Sequence, residues 1–179
     1  MPHVMVTAGA LEVAVELHGP ADGPAVVLLH GFPDDARAWD GVAPALAARG
    51  MRVVVPYLRG YGPTRYRDPA TPRSGQQAAL GADLLALMDA LGIGRALLAG
   101  YDWGGRAACI VAALWPERVA GLVSANGYNI QDIAASARPA APSTDRITRN
   151  SGSSASSGAS FSAPAPSVTT ALAPESFRR

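Results

Sequence analysis

From Val4 to Ser124 the chain alternates short apolar runs with stretches of helical period. Val4 to Val6 and Leu11 to Leu17 read as two strands, a hairpin at a sheet edge. Ala25 to Leu29 is a continuous apolar run ended by His30-Gly31, which predicts a buried strand. Ala36 to Arg49 has helical spacing, with Trp39, Val42 and Leu46 on one face and Gly50 as its stop. Arg52 to Pro56 predicts another buried strand, and the Gly-, Pro- and Arg-rich stretch from Gly60 to Pro72 predicts loop. Gln76 to Leu91 reads as a helix with Leu80, Leu84, Leu87 and Met88 on one face. Ala96 to Tyr101 follows as a strand, Gly104 to Leu114 as a helix and Val119 to Ser124 as a strand. Strands alternating with helices at this spacing imply an α/β fold: a mainly parallel sheet with helices on both faces.

The pattern stops near Gln131, so residues 1–131 read as one partial core. From Asp132 to Arg179 the chain is Ser, Ala, Pro, Gly, Thr and Arg with no apolar period. Such a segment buries too little surface to offset its ordering entropy, so the expectation is a disordered tail. With 49% hydrophobic and 16% charged residues, the rest of the chain has ample material for a core. A net charge of +1 gives no electrostatic reason to expect a nucleic acid or an anionic membrane as partner. One cysteine, Cys109, offers no internal disulfide and no metal-ligand spacing, which fits a reducing cytoplasm. Neither a leader nor an apolar run of membrane-spanning length is visible, so the expected location is cytoplasmic.

The chemistry concentrates in Gly100-Tyr101-Asp102-Trp103-Gly104, between an expected strand and an expected helix. A nucleophile on a tight strand-to-helix turn has a strained backbone, and Gly100 and Gly104 let such a turn close. The helix N-terminus beneath it favours negative charge. The usual residue at the centre is Ser. An Asp is already anionic at neutral pH and needs no base to become a nucleophile; a helix N-cap is its bland alternative. His30-Gly31-Phe32-Pro33 follows the earlier strand, and the Phe32 and Trp103 N–H groups could together form an oxyanion hole. His30 reads as a loop-shaping hydrogen-bonding group rather than a base. Arg59-Gly60-Tyr61-Gly62 reads as a turn that supports the site floor. Tyr101, Trp39 and Trp103 are candidates for an apolar pocket wall, with core packing equally open for Trp39. No metal or cofactor site is expected.

Taken together, HGFP (His30 to Pro33), RGYG (Arg59 to Gly62) and GYDWGG (Gly100 to Gly105) resemble the α/β-hydrolase superfamily, in its epoxide hydrolase and haloalkane dehalogenase branch. The resemblance covers roughly residues 4 to 131. It implies that Asp102 attacks an epoxide carbon to form an alkyl-enzyme ester, which a His, oriented by an acid, hydrolyses through water. It implies Phe32 and Trp103 as oxyanion donors, a small apolar electrophile as substrate, and a helical cap with tyrosines that polarise the epoxide oxygen.

The departures are as informative. The chain has three histidines, His3, His18 and His30, all before Asp102, whereas the family's base follows the nucleophile. No expected strand follows residue 131 to bear the acid, and Asn126 is not one. The composition change reads as a frameshift or truncation. Val119 to Ser124 would then be a bare apolar edge that invites self-association. Three functions stay open: an epoxide hydrolase-type enzyme with haloalkane dehalogenation as a variant, an inactive fragment, and a binding module for a small molecule or partner.

Overall fold

A computed structural model describes residues 3–127 and the backbone of a strand at Val168–Thr170. The expected hairpin is present: β1 (Val4–Ala8) pairs antiparallel with β2 (Leu11–His18). β3 (Ala25–Leu29), β4 (Arg52–Pro56) and β6 (Ala96–Tyr101) fall where the continuous apolar runs put them. α2 (Gln77–Ala90), α3 (Asp102–Leu114) and β7 (Val119–Ala125) complete the alternation. The sheet order is β1-β2-β4-β3-β6-β7. Its middle four strands, β4, β3, β6 and β7, are parallel, and β2 joins β4 antiparallel.

Handedness decides which face each helix covers. The step from β3 to β4 runs one way along the sheet, and the steps from β4 to β6 and β6 to β7 run the other way. Right-handed crossovers therefore put the first connection on one face and the next two on the opposite face. α2 and α3 accordingly pack together against Val13, Val27, Leu29, Val54 and Leu98. The alternate side chains Ala14, Val26, Leu28, Val53 and Val55 meet Ala36 and Ala43 of the first connection. Leu29, Met88, Leu98 and Val111 are each under 2% exposed, and burying a side chain of this kind contributes about 1.5–3 kcal/mol. Small residues bring the helices close: a Cβ on Gly81 of α2 would lie 2.4 Å from Ile110 Cγ2 of α3.

Four expectations change. The single helix over Ala36 to Arg49 is instead a 3-10 turn at Ala36–Trp39 and a short helix, α1, at Ala43–Ala47. The Asp35 side chain caps the turn by accepting from Arg37 N–H at 2.9 Å, while Pro44 brings no N–H to a continuous ladder. Within the segment read as loop, Arg65–Tyr66 forms a two-residue strand, β5, on β2. α3 begins at Asp102, two residues before the expected start. The outer edge of β7 is not bare: β8 (Val168–Thr170) pairs antiparallel with Val123–Ala125. Apart from β8, the tail expected to be disordered lies outside the described residues. Among those residues no helix is long and apolar enough to cross a membrane.

Candidate active site

β3 is flanked by β4 on one side and β6 on the other, and the chain reverses its direction across the sheet there. Such a reversal opens a crevice beyond the carboxyl ends of the strands. His30 to Pro33 leave the end of β3 at this crevice, and Asp102 leaves the end of β6.

Asp102 has φ +47°, left-handed backbone that a non-glycine residue rarely adopts. Its neighbours leave it just enough space. A Cβ on Gly31 would lie 2.6 Å from Asp102 Cβ and 2.8 Å from the Tyr101 carbonyl oxygen. One on Gly104 would lie 2.3 Å from the Leu29 carbonyl oxygen, and one on Gly100 2.6 Å from the Gly104 carbonyl carbon. With these three positions lacking side chains, the two loops touch, and the Phe32 N–H donates to Asp102 Oδ1 at 3.0 Å. The Phe32 side chain itself is 69% exposed, and Pro33 follows across a cis peptide bond. Trp103 is the second residue of α3, in the first turn, where backbone N–H groups lack intrahelical partners. Its indole carries the Arg106 guanidinium 4.3 Å from the ring centroid.

On the other side of the turn, the Tyr101 hydroxyl donates to Asp34 Oδ2 at 2.9 Å, and its ring lies 5.8 Å from that of Trp39. Burial, with the charges of Asp34 and Asp102 adding to it, pushes the Tyr101 phenol up to about 12. Trp39 packs against the core cluster on the α1 face, and its buried Nε1 has no hydrogen-bond partner.

His30 is fully buried. Its Nε2 accepts the Leu58 N–H at 3.0 Å, which places the ring proton on Nδ1, 3.3 Å from the Gly31 carbonyl oxygen. Burial pulls its pKa below the usual value for histidine. With both nitrogens engaged, the ring joins the loops that follow β3 and β4. The Tyr61 ring meets it edge-on at 4.7 Å.

Two residues at the site escaped the sequence reading, Asp34 and Asp83, and with Asp83 its ion pair to Arg59. Arg59 does more than end a turn. Its guanidinium forks onto Asp83 of α2, Nε to Oδ2 at 2.5 Å and Nη2 to Oδ1 at 2.7 Å, and donates to the Ser74 and Ala79 carbonyls. The bond to Asp83 raises the Arg59 pKa further. A signal was present, because Asp83 lies three residues after Leu80 and four before Leu87, on the apolar side of its helix. Beside this clamp is a pocket of about 290 Å³ reaching Trp103. No group of three or more His, Cys, Asp or Glu could hold a metal ion among the described residues.

Residues 24–170 match the family model of the alpha/beta hydrolase fold. Epoxide hydrolase B of Mycobacterium tuberculosis is 40% identical over 60% of this chain and 31% of its own length. Epoxide hydrolase 3 of Siraitia grosvenorii is 34% identical over 68% of this chain and 37% of its own. The chain therefore spans about a third of the length of these curated relatives. Among solved structures, a protein of Klebsiella pneumoniae provisionally described as an epoxide hydrolase superposes with a TM-score of 0.72. It is 52% identical and covers 78% of this chain and 46% of its own. The epoxide hydrolase of Vigna radiata gives 0.63 at 35% identity, covering 69% and 39%. The chain belongs to the alpha/beta hydrolase fold family and is epoxide hydrolase-like within it.

Proposed function

We propose that Asp102 is the nucleophile of epoxide opening and that the chemistry of these 179 residues halts at the ester. One observation carries the reading: a carboxylate at the switch point, on strained left-handed backbone, with one oxygen held by the Phe32 N–H. The tethered Oδ1 leaves Oδ2 to attack. Oδ2 forms a bond to an epoxide carbon, the ring C–O bond breaks, and the released alkoxide takes a proton from water, leaving hydroxide. In the second half, water adds to Cγ and the negative charge develops on Oδ1. The Phe32 N–H already points at that oxygen, and the Trp103 N–H is the second donor of the proposed oxyanion hole. Collapse then releases the diol.

That second half needs a base for the water, a contribution commonly worth about a hundredfold to ten-thousandfold. All three histidines precede Asp102, and both ring nitrogens of His30 are already engaged. The alkyl ester on Asp102 therefore accumulates. Intact-mass analysis after incubation with styrene oxide tests both parts. The expected result is one adduct on Asp102, absent in Asp102→Asn, without multiple turnover. An adduct mapping elsewhere removes Asp102 from the role, and steady diol production shows that a base has been overlooked. Complete lack of an adduct, with an alkyl bromide as well as with epoxides, favours the binding-module reading.

A further inference from the structure

The pocket of about 290 Å³ next to the nucleophile turn takes no part in the reaction above. Three aromatic residues line it, Tyr61, Tyr66 and Trp103, together with buried Leu80 and two arginines, Arg59 and Arg73. The two cations differ. Arg59 is neutralised by its forked ion pair with Asp83. The Arg73 guanidinium lies over the Tyr66 ring, 4.7 Å from its centroid, and has no carboxylate partner among the described residues. Among the described residues, no acidic one lines the pocket. A guanidinium stacked on a ring keeps its in-plane N–H groups available for forked donation to a carboxylate.

The pocket also adjoins the reacting group. Trp103 follows Asp102 directly in the chain and lines it. Tyr61 lines it too, and its phenol is pushed up by burial and then by the charge of Asp102. We propose that this pocket is the subsite for the far end of the substrate, and that the substrate is an epoxide whose apolar or aromatic arm ends in a carboxylate. The arm packs on Tyr66 and Trp103, and the carboxylate takes the donors of Arg73. The substrate class rests on the nucleophile reading of Asp102; the carboxylate-binding pocket does not.

A matched pair of electrophiles tests it on the full chain: the para-carboxylate of styrene oxide and its methyl ester. The carboxylate should label Asp102 about tenfold faster at low salt, the scale of one charged hydrogen-bonded contact. Added salt should shrink that preference. Arg73→Gln should bring the two rates together, whereas Arg67→Gln, an arginine on the same loop that faces Glu12 and does not line the pocket, should retain the difference. Equal rates in the unaltered chain, or a preference that survives Arg73→Gln, overturn the proposal. Binding of para-ethylbenzoate, which has no epoxide, is followed separately by tryptophan fluorescence. It should bind Asp102→Asn at least as tightly as the unaltered chain, since a nearby negative charge is removed, and Arg73→Gln at least about tenfold more weakly. Binding that depends on Arg73 without any epoxide adduct sinks the nucleophile reading and the epoxide class, leaving a carboxylate-binding pocket. An adduct on Asp102 without Arg73-dependent binding sinks the pocket assignment alone.

Discussion

The two faces of the sheet have different interiors. Under α2 and α3 the contacts are apolar and close, with Gly81 against Ile110 and Gly104 against the Leu29 and His30 carbonyls. Under the 3-10 turn and α1 the helix is five residues long, and a buried carboxylate shares the layer. Glu16 is 2% exposed; it accepts the Tyr57 hydroxyl at 3.1 Å and lies 3.7 Å from His18 Nε2. The turn that carries Asp102 is built on the first face. Backbone strain at Asp102 persists only where the surroundings over-determine it, and close apolar packing does that better than a short, polar-lined layer.

One matched pair of substitutions can break this contrast outright. Gly104→Ala places a Cβ 2.3 Å from a backbone oxygen that cannot step aside, and should cost about 3 kcal/mol in urea unfolding. Gly41→Ala, just before α1, meets nothing within 4 Å and should stay within about 0.5 kcal/mol. Equal losses would mean that the two faces are packed alike. A smaller effect probes the polar layer. Tyr57→Phe strips a donor from buried Glu16 and should cost about 1–2 kcal/mol, much of it recovered when Glu16→Leu is added. A neutral Tyr57→Phe would make that hydrogen bond incidental.

The smallest effect is a slope with pH. His30 titrates lower in the folded chain than the value of about 6.5 in an unfolded one. Its contribution is complete above that pH. It fades as pH falls toward the folded value, because the unfolded chain takes up the proton first. The urea midpoint should therefore drop more steeply below neutrality in the unaltered chain than in His30→Gln. Parallel curves would mean that His30 is not held neutral by burial.

The central strands were legible because buried parallel strands are written as continuous apolar runs; Ala25–Leu29, Arg52–Pro56 and Ala96–Tyr101 end where the runs do. The helix expected over Ala36 to Arg49 shows the limit of periodicity. Trp39, Val42 and Leu46 keep helical spacing, yet the continuous helix does not form around Gly41 and Pro44. β5 was illegible because two residues are too few to alternate. At the site, the glycines and Asp102 could be placed from local sequence, since each constrains a turn within a few residues. The Arg59–Asp83 clamp and the Tyr101–Asp34 hydrogen bond could not, because they join residues 24 and 67 positions apart.

The hydrogen bond from Phe32 to Asp102 closes across 70 positions of chain. The β1–β2 hairpin closes between neighbours in sequence, with Ala8 opposite Leu11. The β3–β6 pairing must enclose β4 and α2 before it earns a contact, and such non-local parallel pairing is the slow part of folding. The Phe32 amide is thus a clock for assembly: it stays exchangeable with solvent until the middle of the sheet has zipped, whatever the hairpin has done.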